Sequence, residues 1–364
     1  MLRQPDLSHI NKILLFIVLL GVVLYFGREV FIVIIFSGFL AMLMTPFSSR
    51  MENAGISRVF SSLISVLIIV AVIAGIIVLL SSQIAAMSDD FPQMKERIEE
   101  GLFNVEQWIN NTIGISSDTL ESKASDMLSN AGGIITGAVK STFSFFGSSL
   151  LIIVFTFLFL LHREKYENFV VMLSREEKRD ETRKVIGKIS RIAQQYLGGR
   201  LISIIILGIL YLTGFTIIGL KNALLLSGLA AIMTFIPYIG PVLGGFIPFF
   251  IAIVNGSFNQ ALWVIVIISL AQLFDNYFIE PYVVGGSVSI NPFFTIFILI
   301  MGGVVWGIAG VILFLPLLGI FRIIFENVES LQPYAYLIGD DKKSSGPHEL
   351  LNRITKLFSS RKTN

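Results

Sequence analysis

Residues 235–245 read FIPYIGPVLGG and lie in the middle of an apolar run that extends from residue 222 to residue 254. A straight helix of that length would rise about 50 Å, whereas the hydrocarbon core of a bilayer is about 30 Å thick. Proline removes a backbone donor and glycine tolerates a sharp change of direction, so the chain can turn back at this point. We therefore predict a helical hairpin, with a single kinked and tilted helix as the alternative.

A second apolar run, residues 292–325, has the same excess length and carries the breaker sequence MGGVVWGIAG at 301–310. Each run also contains two small residues four positions apart, which allow helix backbones to approach closely. These pairs are Gly240 with Gly244 and Gly303 with Gly307. A second helical hairpin is predicted, with the same alternative.

The composition is that of an integral membrane protein. Hydrophobic residues make up 54% of the 364 positions and charged residues 14%, against about 25% charged residues in soluble proteins. The net charge is +2 and the basic residues are dispersed, so nucleic acid is not a predicted partner. The chain has no cysteine and three widely separated histidines. This pattern argues against disulfides, thiolate chemistry and His-rich metal sites, and no cofactor is predicted.

Six further apolar runs are long enough to cross a bilayer. They are residues 10–26, 29–47, 59–86, 141–161, 201–219 and 261–280. The first is interpreted as an uncleaved helix, because no small-residue cleavage site follows it and another span begins at once. The predicted fold is an all-α integral membrane protein with about eight membrane segments, including two broken or re-entrant helical hairpins, plus amphipathic extramembrane helices.

The predicted organisation follows from these runs. Its parts are 1–87 with transmembrane helices 1 to 3, 88–140 as an extracellular amphipathic segment, 141–161 as helix 4, 162–200 as a cytoplasmic amphipathic segment, 201–328 as a transport core and 329–364 as a cytoplasmic tail.

Basic residues near the spans indicate the orientation. The 163–200 segment holds ten lysines and arginines, whereas 88–140 holds nine acidic and four basic residues. Further basic residues precede the first helix, separate the second and third helices, and occur in the C-terminal tail. Both termini are therefore predicted to be cytoplasmic, in a bacterial plasma membrane.

Both polar segments carry an apolar stripe at helical spacing. The stripes are Phe91, Met94, Ile98, Leu102, Val105 and Trp108, and Val185, Ile189, Ile192 and Tyr196. Each stripe is expected either to cover the protein's own membrane domain or the lipid interface, or to contact another subunit. If a stripe contacts another subunit, the protein is a homo-oligomer.

The apolar run at 261–280 finishes in polar residues. Gln272, Asp275, Asn276 and Glu280 would share one face of a helix, at offsets of 0, 3, 4 and 8. An Asp inside a membrane costs about 2.5–3.5 kcal/mol, so it normally faces a protein cavity and binds an ion or substrate there. The alternative is that the span ends near Phe274 and leaves these residues in interfacial water.

Four segments in order resemble the autoinducer-2 exporter (AI-2E) family of bacterial membrane proteins. They are QQYLGGR (194–200), FIPYIGPVLGGFIP (235–248), QLFDNYFIEPYVVGGSVSINPF (272–293) and GGVVWGIAGVILFLPLLGIF (302–321). The resemblance implies about eight membrane segments, oligomeric assembly and export of small solutes, with links to quorum signals and to sodium/proton exchange. At Asn291 the family pattern leads us to expect a histidine before Pro292. Asparagine cannot titrate, so no proton role is assigned there.

The candidate pathway lies between the two hairpins, where broken helices present free backbone groups to a solute. Its predicted residues are Pro237, Tyr238, Gly240, Pro241 and Gly244 at one tip, Gly302, Gly303 and Gly307 at the other, and Gln272, Asp275, Asn276 and Glu280 between them. The alternative is that the glycines and prolines serve packing alone. Arg200, at the inner mouth of the fifth span, either joins this pathway or, on the favoured interpretation, anchors to lipid phosphate.

The sequence is compatible with three classes of function. The first is a secondary exporter of a small polar solute, such as a signal of autoinducer-2 type, coupled to a proton or sodium gradient. The alternative is a sodium or other cation/proton antiporter, and the third is a membrane scaffold or an enzyme. No nucleophile constellation or phosphate loop supports an enzyme.

Overall fold

The computed structural model describes residues 7–88, 150–237, 239–255, 258–284 and 290–340. The predicted extracellular segment, with its stripe from Phe91 to Trp108, lies almost wholly outside the described residues. Tyr238 and the end of the C-terminal tail also lie outside them.

The described residues form twelve α-helices and one π-helical segment. The helices are α1 (Leu7–Phe26), α2 (Arg28–Asn53), α3 (Arg58–Ser88), α4 (Leu150–Leu161), α5 (Arg163–Met172), α6 (Arg179–Ile217), α7 (Ala223–Met233), α8 (Gly240–Asn255), α9 (Phe258–Phe274), α10 (Pro292–Trp306), α11 (Ile308–Glu326) and α12 (Gln332–Ile338). The π-helical segment, Asp275–Val284, continues α9 directly. Short 3₁₀ turns occur at Glu176–Lys178 and Glu329–Leu331.

The predicted all-α membrane fold is confirmed. Within the described ranges, β pairing is limited to one isolated bridge between Ile290 and Gly339. Five helical stretches are long and apolar enough to cross a bilayer, and five shorter apolar helices accompany them. The long stretches are Arg28–Asn53, Arg58–Val78, Glu176–Ile217, Asn259–Val283 and Ile308–Glu326.

The chain divides into two compact units that interleave along the sequence. One takes its described residues from Met1–Ser62, Val154–Gly199 and Pro281–Asn364. The other takes them from Leu63–Ile153 and Arg200–Glu280. We call these the scaffold unit and the ion-pair unit. The sixfold division predicted from the sequence stays a prediction.

The first predicted hairpin is present in the ion-pair unit. Helices α7 and α8 pack against each other and are joined by a turn that contains Pro237. A Cβ atom on Gly244 would lie 2.7 Å from the carbonyl oxygen of Ala230, and one on Gly240 would collide with the Met233 carbonyl. The two glycines are therefore required for the close approach of the helices, as the sequence indicated.

The second hairpin, formed by α10 and α11 in the scaffold unit, uses different glycines from those predicted. A Cβ on Gly302 would lie 2.6 Å from the carbonyl oxygen of Gly310, whereas one on Gly303 would make only a side-chain contact at 3.4 Å. Gly307 forms the turn, with φ of 61°, a conformation that favours glycine. The prediction that Gly303 and Gly307 bring the two helices together is therefore wrong, because Gly307 occupies the turn.

Trp306 fixes the tip of the second hairpin to α1. Its ring nitrogen donates a hydrogen bond of 2.9 Å to the carbonyl of Leu24, and its ring stacks on Phe31 at 6.4 Å. The last carbonyls of a helix have no partner within the helix, so the indole satisfies one of these groups at the end of α1. The tip is thus held by side-chain packing as well as by its own turn.

The stripe on the N-terminal part of α6 is mostly covered by the protein itself. Tyr196 is buried, and Val185, Ile189 and Ile192 are half-buried. This outcome weakens the stripe as a reason for subunit contact. The other stripe is not described, so homo-oligomerisation stays a prediction.

Candidate functional site

One face of α6 in the ion-pair unit carries polar side chains into a buried layer. Arg200, Ser203, Leu207, Tyr211 and Phe215 recur at steps of three or four residues, which places them on one side of the helix. All five are buried, and Tyr211 stacks on Phe215 with ring centroids 6.0 Å apart. The face is apolar at its C-terminal end and polar at Arg200 and Ser203.

Asp275 lies opposite this polar end. Its side chain is 2% exposed, and one of its oxygens, Oδ2, lies 3.7 Å from Nη1 of Arg200. The hydroxyl of Ser203 donates a hydrogen bond of 2.9 Å to the other oxygen, Oδ1. A buried carboxylate requires a charge partner and hydrogen bonds, and Arg200 and Ser203 supply both.

The helix changes its register at Asp275. The α-helix ends at Phe274, and the next ten residues form the π-helical segment, which includes Pro281. A proline inside an α-helix clashes with the carbonyl four residues earlier, and a wider turn relieves that clash. The predicted single α-helical face is therefore interrupted where the polar residues begin.

The four polar residues of the block accordingly have different environments. Asp275 is buried, Gln272 is half-buried, and Asn276 and Glu280 are exposed. Gln272 donates a hydrogen bond of 2.8 Å to the side chain of Asn276. The candidate span continues through the π-helical segment to Val283, so it does not end at Phe274, and Asp275 is enclosed by protein. A role of Asp275 in binding an ion or substrate stays a prediction.

Three polar atoms around the ion pair are buried and have no hydrogen-bond partner among the described residues. They are Nε of Arg200, the hydroxyl of Tyr211 and Oε1 of Gln272. Leaving such a group unpaired costs about 1–3 kcal/mol, and buried polar groups in proteins are nearly always satisfied. The set comprises one donor, on Arg200, one hydroxyl that can donate or accept, on Tyr211, and one acceptor, on Gln272.

Exposed aromatic residues surround this end of the span. They are Phe274, Tyr277, Phe278 and Tyr282, on the side of the helix that does not carry Asp275. Tyrosine is enriched where the bilayer meets water. The buried ion pair therefore lies on the opposite side of the span from these exposed aromatic side chains.

Arg200 is therefore not a lipid anchor. It is 7% exposed and pairs with a buried carboxylate, so the favoured interpretation from the sequence is wrong. Ser203 and Tyr211 were also missed in the sequence, because their spacing from Arg200 shows that they share a face of α6 but not what that face contacts.

The remaining predicted pathway residues divide between the two units. Pro237, Gly240, Pro241 and Gly244 belong to the ion-pair unit, where Gly240 and Gly244 are buried in the α7–α8 contact. Gly302, Gly303 and Gly307 belong to the scaffold unit. A pathway that joins the two tips stays a prediction.

Asn291 has a structural part in the scaffold unit. Its side chain accepts a hydrogen bond of 3.0 Å from the backbone nitrogen of Phe293 and caps α10. Its own backbone nitrogen donates to the Ile338 carbonyl at 2.9 Å. An asparagine at this position is a good helix N-cap, which accounts for the residue without any proton transfer.

A second cluster of charges lies in the scaffold unit, where the ends of α2, α3 and α5 meet. Both oxygens of Glu52 accept hydrogen bonds from Arg163, at 2.8 and 2.6 Å. The hydroxyls of Ser48 and Ser61 each donate to Glu52 at 3.1 Å. Arg58 forms an ion pair with Glu164 and holds the pKa of that carboxyl below its usual range, through a hydrogen bond and its charge. Arg58 is one of the basic residues between the second and third predicted spans, which the sequence analysis used only to predict the orientation.

The comparison with known proteins agrees with this architecture. The model of the AI-2E family transporters matches residues 14–330. The chain belongs to the AI-2E transporter family. It is 25% identical to YueF of Bacillus subtilis (strain 168), over 84% of this chain and 86% of that protein. It is also 25% identical to the AI-2 transport protein TqsA of Escherichia coli (strain K12), over 91% of this chain and 94% of that protein.

Family membership confirms the resemblance seen in the four sequence segments. It makes this chain a multi-pass membrane protein of a transporter family. The described residues of this AI-2E protein contain no group of three or more His, Cys, Asp or Glu side chains that could hold a metal ion.

Proposed function

We propose that this AI-2E protein exports a small polar solute across the bacterial plasma membrane, with transport coupled to a proton or sodium gradient. The observation that carries the proposal is the buried Arg200–Asp275 pair, with Ser203 bonded to the carboxylate, inside a unit made of apolar helices. Buried ionisable residues in membrane helices are costly and mark substrate or ion pathways. The name of TqsA makes autoinducer-2 the first solute to test.

The unpaired polar atoms favour a solute over a bare cation. A cation needs several oxygen ligands, whereas one of the three buried unpaired groups, Nε of Arg200, can only donate, and the Tyr211 hydroxyl can donate as well as accept. A molecule with hydroxyl or carbonyl groups can accept from these donors and donate to Gln272. The guanidinium of Arg200, 3.7 Å from Asp275, would also repel a metal cation there, so a proton is favoured over sodium as the coupling ion at this carboxylate.

Asp275 is the proposed site of coupling. Its carboxylate can bind a proton, and protonation would remove the charge that holds Arg200. Arg200 would then be free to bind solute. Coupling by this route requires Asp275 to alternate between a charged and a neutral form during transport.

The proposed orientation has both termini in the cytoplasm. The N-terminal part of α6 supports it, because the exposed side chains of Arg179, Lys184 and Lys188 lie before the apolar half of the helix. The exposed Lys221, after the apolar half, then faces outward.

The test is transport by purified protein in proteoliposomes under an imposed proton or sodium gradient. Wild-type protein should move autoinducer-2 in a gradient-dependent manner, and Asp275→Asn should abolish the gradient dependence. Glu280→Gln is the matched control, since it neutralises an exposed carboxylate five residues away. Sodium/proton exchange without any solute flux would replace the exporter with the antiporter, and equal transport by Asp275→Asn would contradict the coupling site.

A further inference from the structure

Helix α5 is held to the scaffold unit mainly by one face, and on its other side the ring of Tyr166 packs against Phe159 of α4, with ring centroids 5.3 Å apart. Arg163 on this face binds Glu52, and Glu164 forms an ion pair with Arg58. One turn later, Glu167 lies 3.5 Å from Arg183, and Val171 is buried. These residues lie on one side of a helix with 3.6 residues per turn. The two carboxylates of α5, Glu164 and Glu167, therefore both form ion pairs on the face that contacts the scaffold unit.

The opposite face of α5 is apolar and exposed. Phe169 is 61% exposed and Leu173, just after the helix, is 72% exposed. Tyr166 and Met172 are also exposed on this side. Lys165 is the charged residue that accompanies them. In an aqueous setting a helix normally turns such residues inward, so this face requires a partner.

The position of α5 indicates what that partner is. The helix begins directly after α4, an apolar helix that ends at Leu161, and α5 itself is not one of the candidate membrane spans. Arg58 contacts the first turn of α5, and its neighbours Val59 and Phe60 also expose apolar side chains. Apolar surface thus continues from the membrane helices up to the first turn of α5.

The charge of the outer face fits an anionic surface. The inner arginines pair with Glu164 and Glu167, so Lys165 is the unopposed charge among the apolar residues. Beyond the helix, Arg179 pairs with Glu176 at 3.2 Å. A helix with an apolar face, aromatic residues and a lysine is typical of one that lies in the lipid interface.

We infer that the outer face of α5, formed by Lys165, Tyr166, Phe169, Met172 and Leu173, binds the interfacial region of the bilayer, with Lys165 on anionic lipid headgroups. In the orientation proposed above, this is the cytoplasmic leaflet. The contact holds the ends of α2 and α3 at the membrane surface through Glu52 and Arg58, which α5 binds with its other face.

The test uses the absence of natural cysteine in this chain. A single cysteine at Phe169 is labelled with an environment-sensitive fluorophore, and the whole protein is reconstituted with lipids that carry a nitroxide near the headgroup or near the chain end. The probe should be quenched most by the nitroxide near the headgroup and little by aqueous iodide. A probe at Leu173 should behave in the same way, which guards against a local effect of one substitution.

Glu181→Cys provides the matched control, because Glu181 is exposed on the first turn of α6. Its probe should be quenched by iodide and not by the lipid nitroxides. Equal iodide quenching at positions 169 and 181 would overturn the inference. Protection at position 169 without lipid quenching, together with cross-links between two copies through that cysteine, would overturn it in favour of a subunit interface.

The contact of Lys165 with anionic headgroups is tested separately. The position-169 probe is compared in vesicles of phosphatidylcholine alone and of phosphatidylcholine with phosphatidylglycerol. Anionic lipid should increase the quenching, and Lys165→Gln should remove the increase. The same response in both lipids would overturn the assignment of Lys165. These measurements do not depend on transport, so they succeed or fail independently of the proposed exporter function.

Discussion

The guanidinium of Arg200 lies 3.7 Å from the carboxylate of Asp275, and the two side chains expose only 9% and 2% of their surface. Two opposite charges in such a place stabilise each other, but each is expensive to desolvate. The loss of one partner should therefore do more harm than the loss of both. Substitutions at this pair should therefore change both the stability of the protein and its transport.

The first prediction is a double-mutant cycle on this pair. Arg200→Gln and Asp275→Asn should each lower the free energy of unfolding in detergent, by about 3–5 kcal/mol, because each leaves one buried charge uncompensated. The double variant should recover a large part of that loss. Strictly additive losses would show that the two charges do not interact.

The second prediction concerns the hydroxyl of Tyr211, which is buried without a partner in the described residues. Tyr211→Phe keeps the ring and its stacking on Phe215, so stability should be unchanged or slightly higher. If the hydroxyl binds solute, KM for transport should rise while expression and unfolding remain normal. Unchanged KM and kcat would remove Tyr211 from the binding site.

The third prediction compares two adjacent glycines in α10. Gly302→Ala should destabilise the second hairpin by about 1–3 kcal/mol, because its Cβ would lie 2.6 Å from the backbone oxygen of Gly310. Gly303→Ala is the control, since its Cβ would meet only the side chain of Val311 at 3.4 Å. Thermal unfolding in detergent distinguishes them. Equal midpoints for the two variants would contradict the packing described here.

The hairpins could be predicted from the sequence because their cause is simple. A run such as 222–254 exceeds the bilayer thickness, and its proline and glycine residues mark where the chain can turn back. Which glycines make contact depends on where the turn falls. Gly307 takes the turn itself, and only the three-dimensional arrangement shows that Gly302 and Gly310 meet.

The polar site was harder to predict for a different reason. Asp275 could be recognised because a carboxylate at the end of an apolar run is costly. Its partners could not, since Arg200 and Ser203 are remote in sequence and spacing within α6 does not say what lies opposite. The register change at Asp275 also invalidates the α-helical face on which Asn276 and Glu280 had been grouped with it.

The fourth prediction concerns the charge cluster of the scaffold unit. Glu52→Gln should cost about 1.5–3 kcal/mol, because its carboxylate is 16% exposed and accepts hydrogen bonds from Arg163. Glu164→Gln should cost less than about 1 kcal/mol, because Glu164 is 61% exposed. Unfolding of both variants in one detergent provides the comparison. A larger loss for Glu164→Gln would contradict this ranking.

The lowered pKa of Glu164 also sets the sign of a pH effect. A carboxylate with a lowered pKa in the folded state stabilises the protein fully above its ordinary pKa, about 4.3, and the contribution is lost as the pH falls through the folded-state value. The stability difference between wild type and Glu164→Gln should therefore stay constant from about pH 7 to 5 and shrink in stronger acid. A difference that shrinks already near neutral pH would count against the ion pair.

The last prediction concerns the sides of the membrane on which the two ends of α6 lie. The helix has 39 residues and therefore rises about 58 Å, which exceeds the thickness of the hydrocarbon core. Lys184, near its start, and Lys221, just after its end, are both exposed. Single cysteines at these positions should react with a membrane-impermeant maleimide from opposite sides, Lys221→Cys in intact cells and Lys184→Cys only after permeabilisation. If Lys184→Cys reacts in intact cells and Lys221→Cys does not, the proposed orientation is inverted; if both react there, α6 does not cross the membrane.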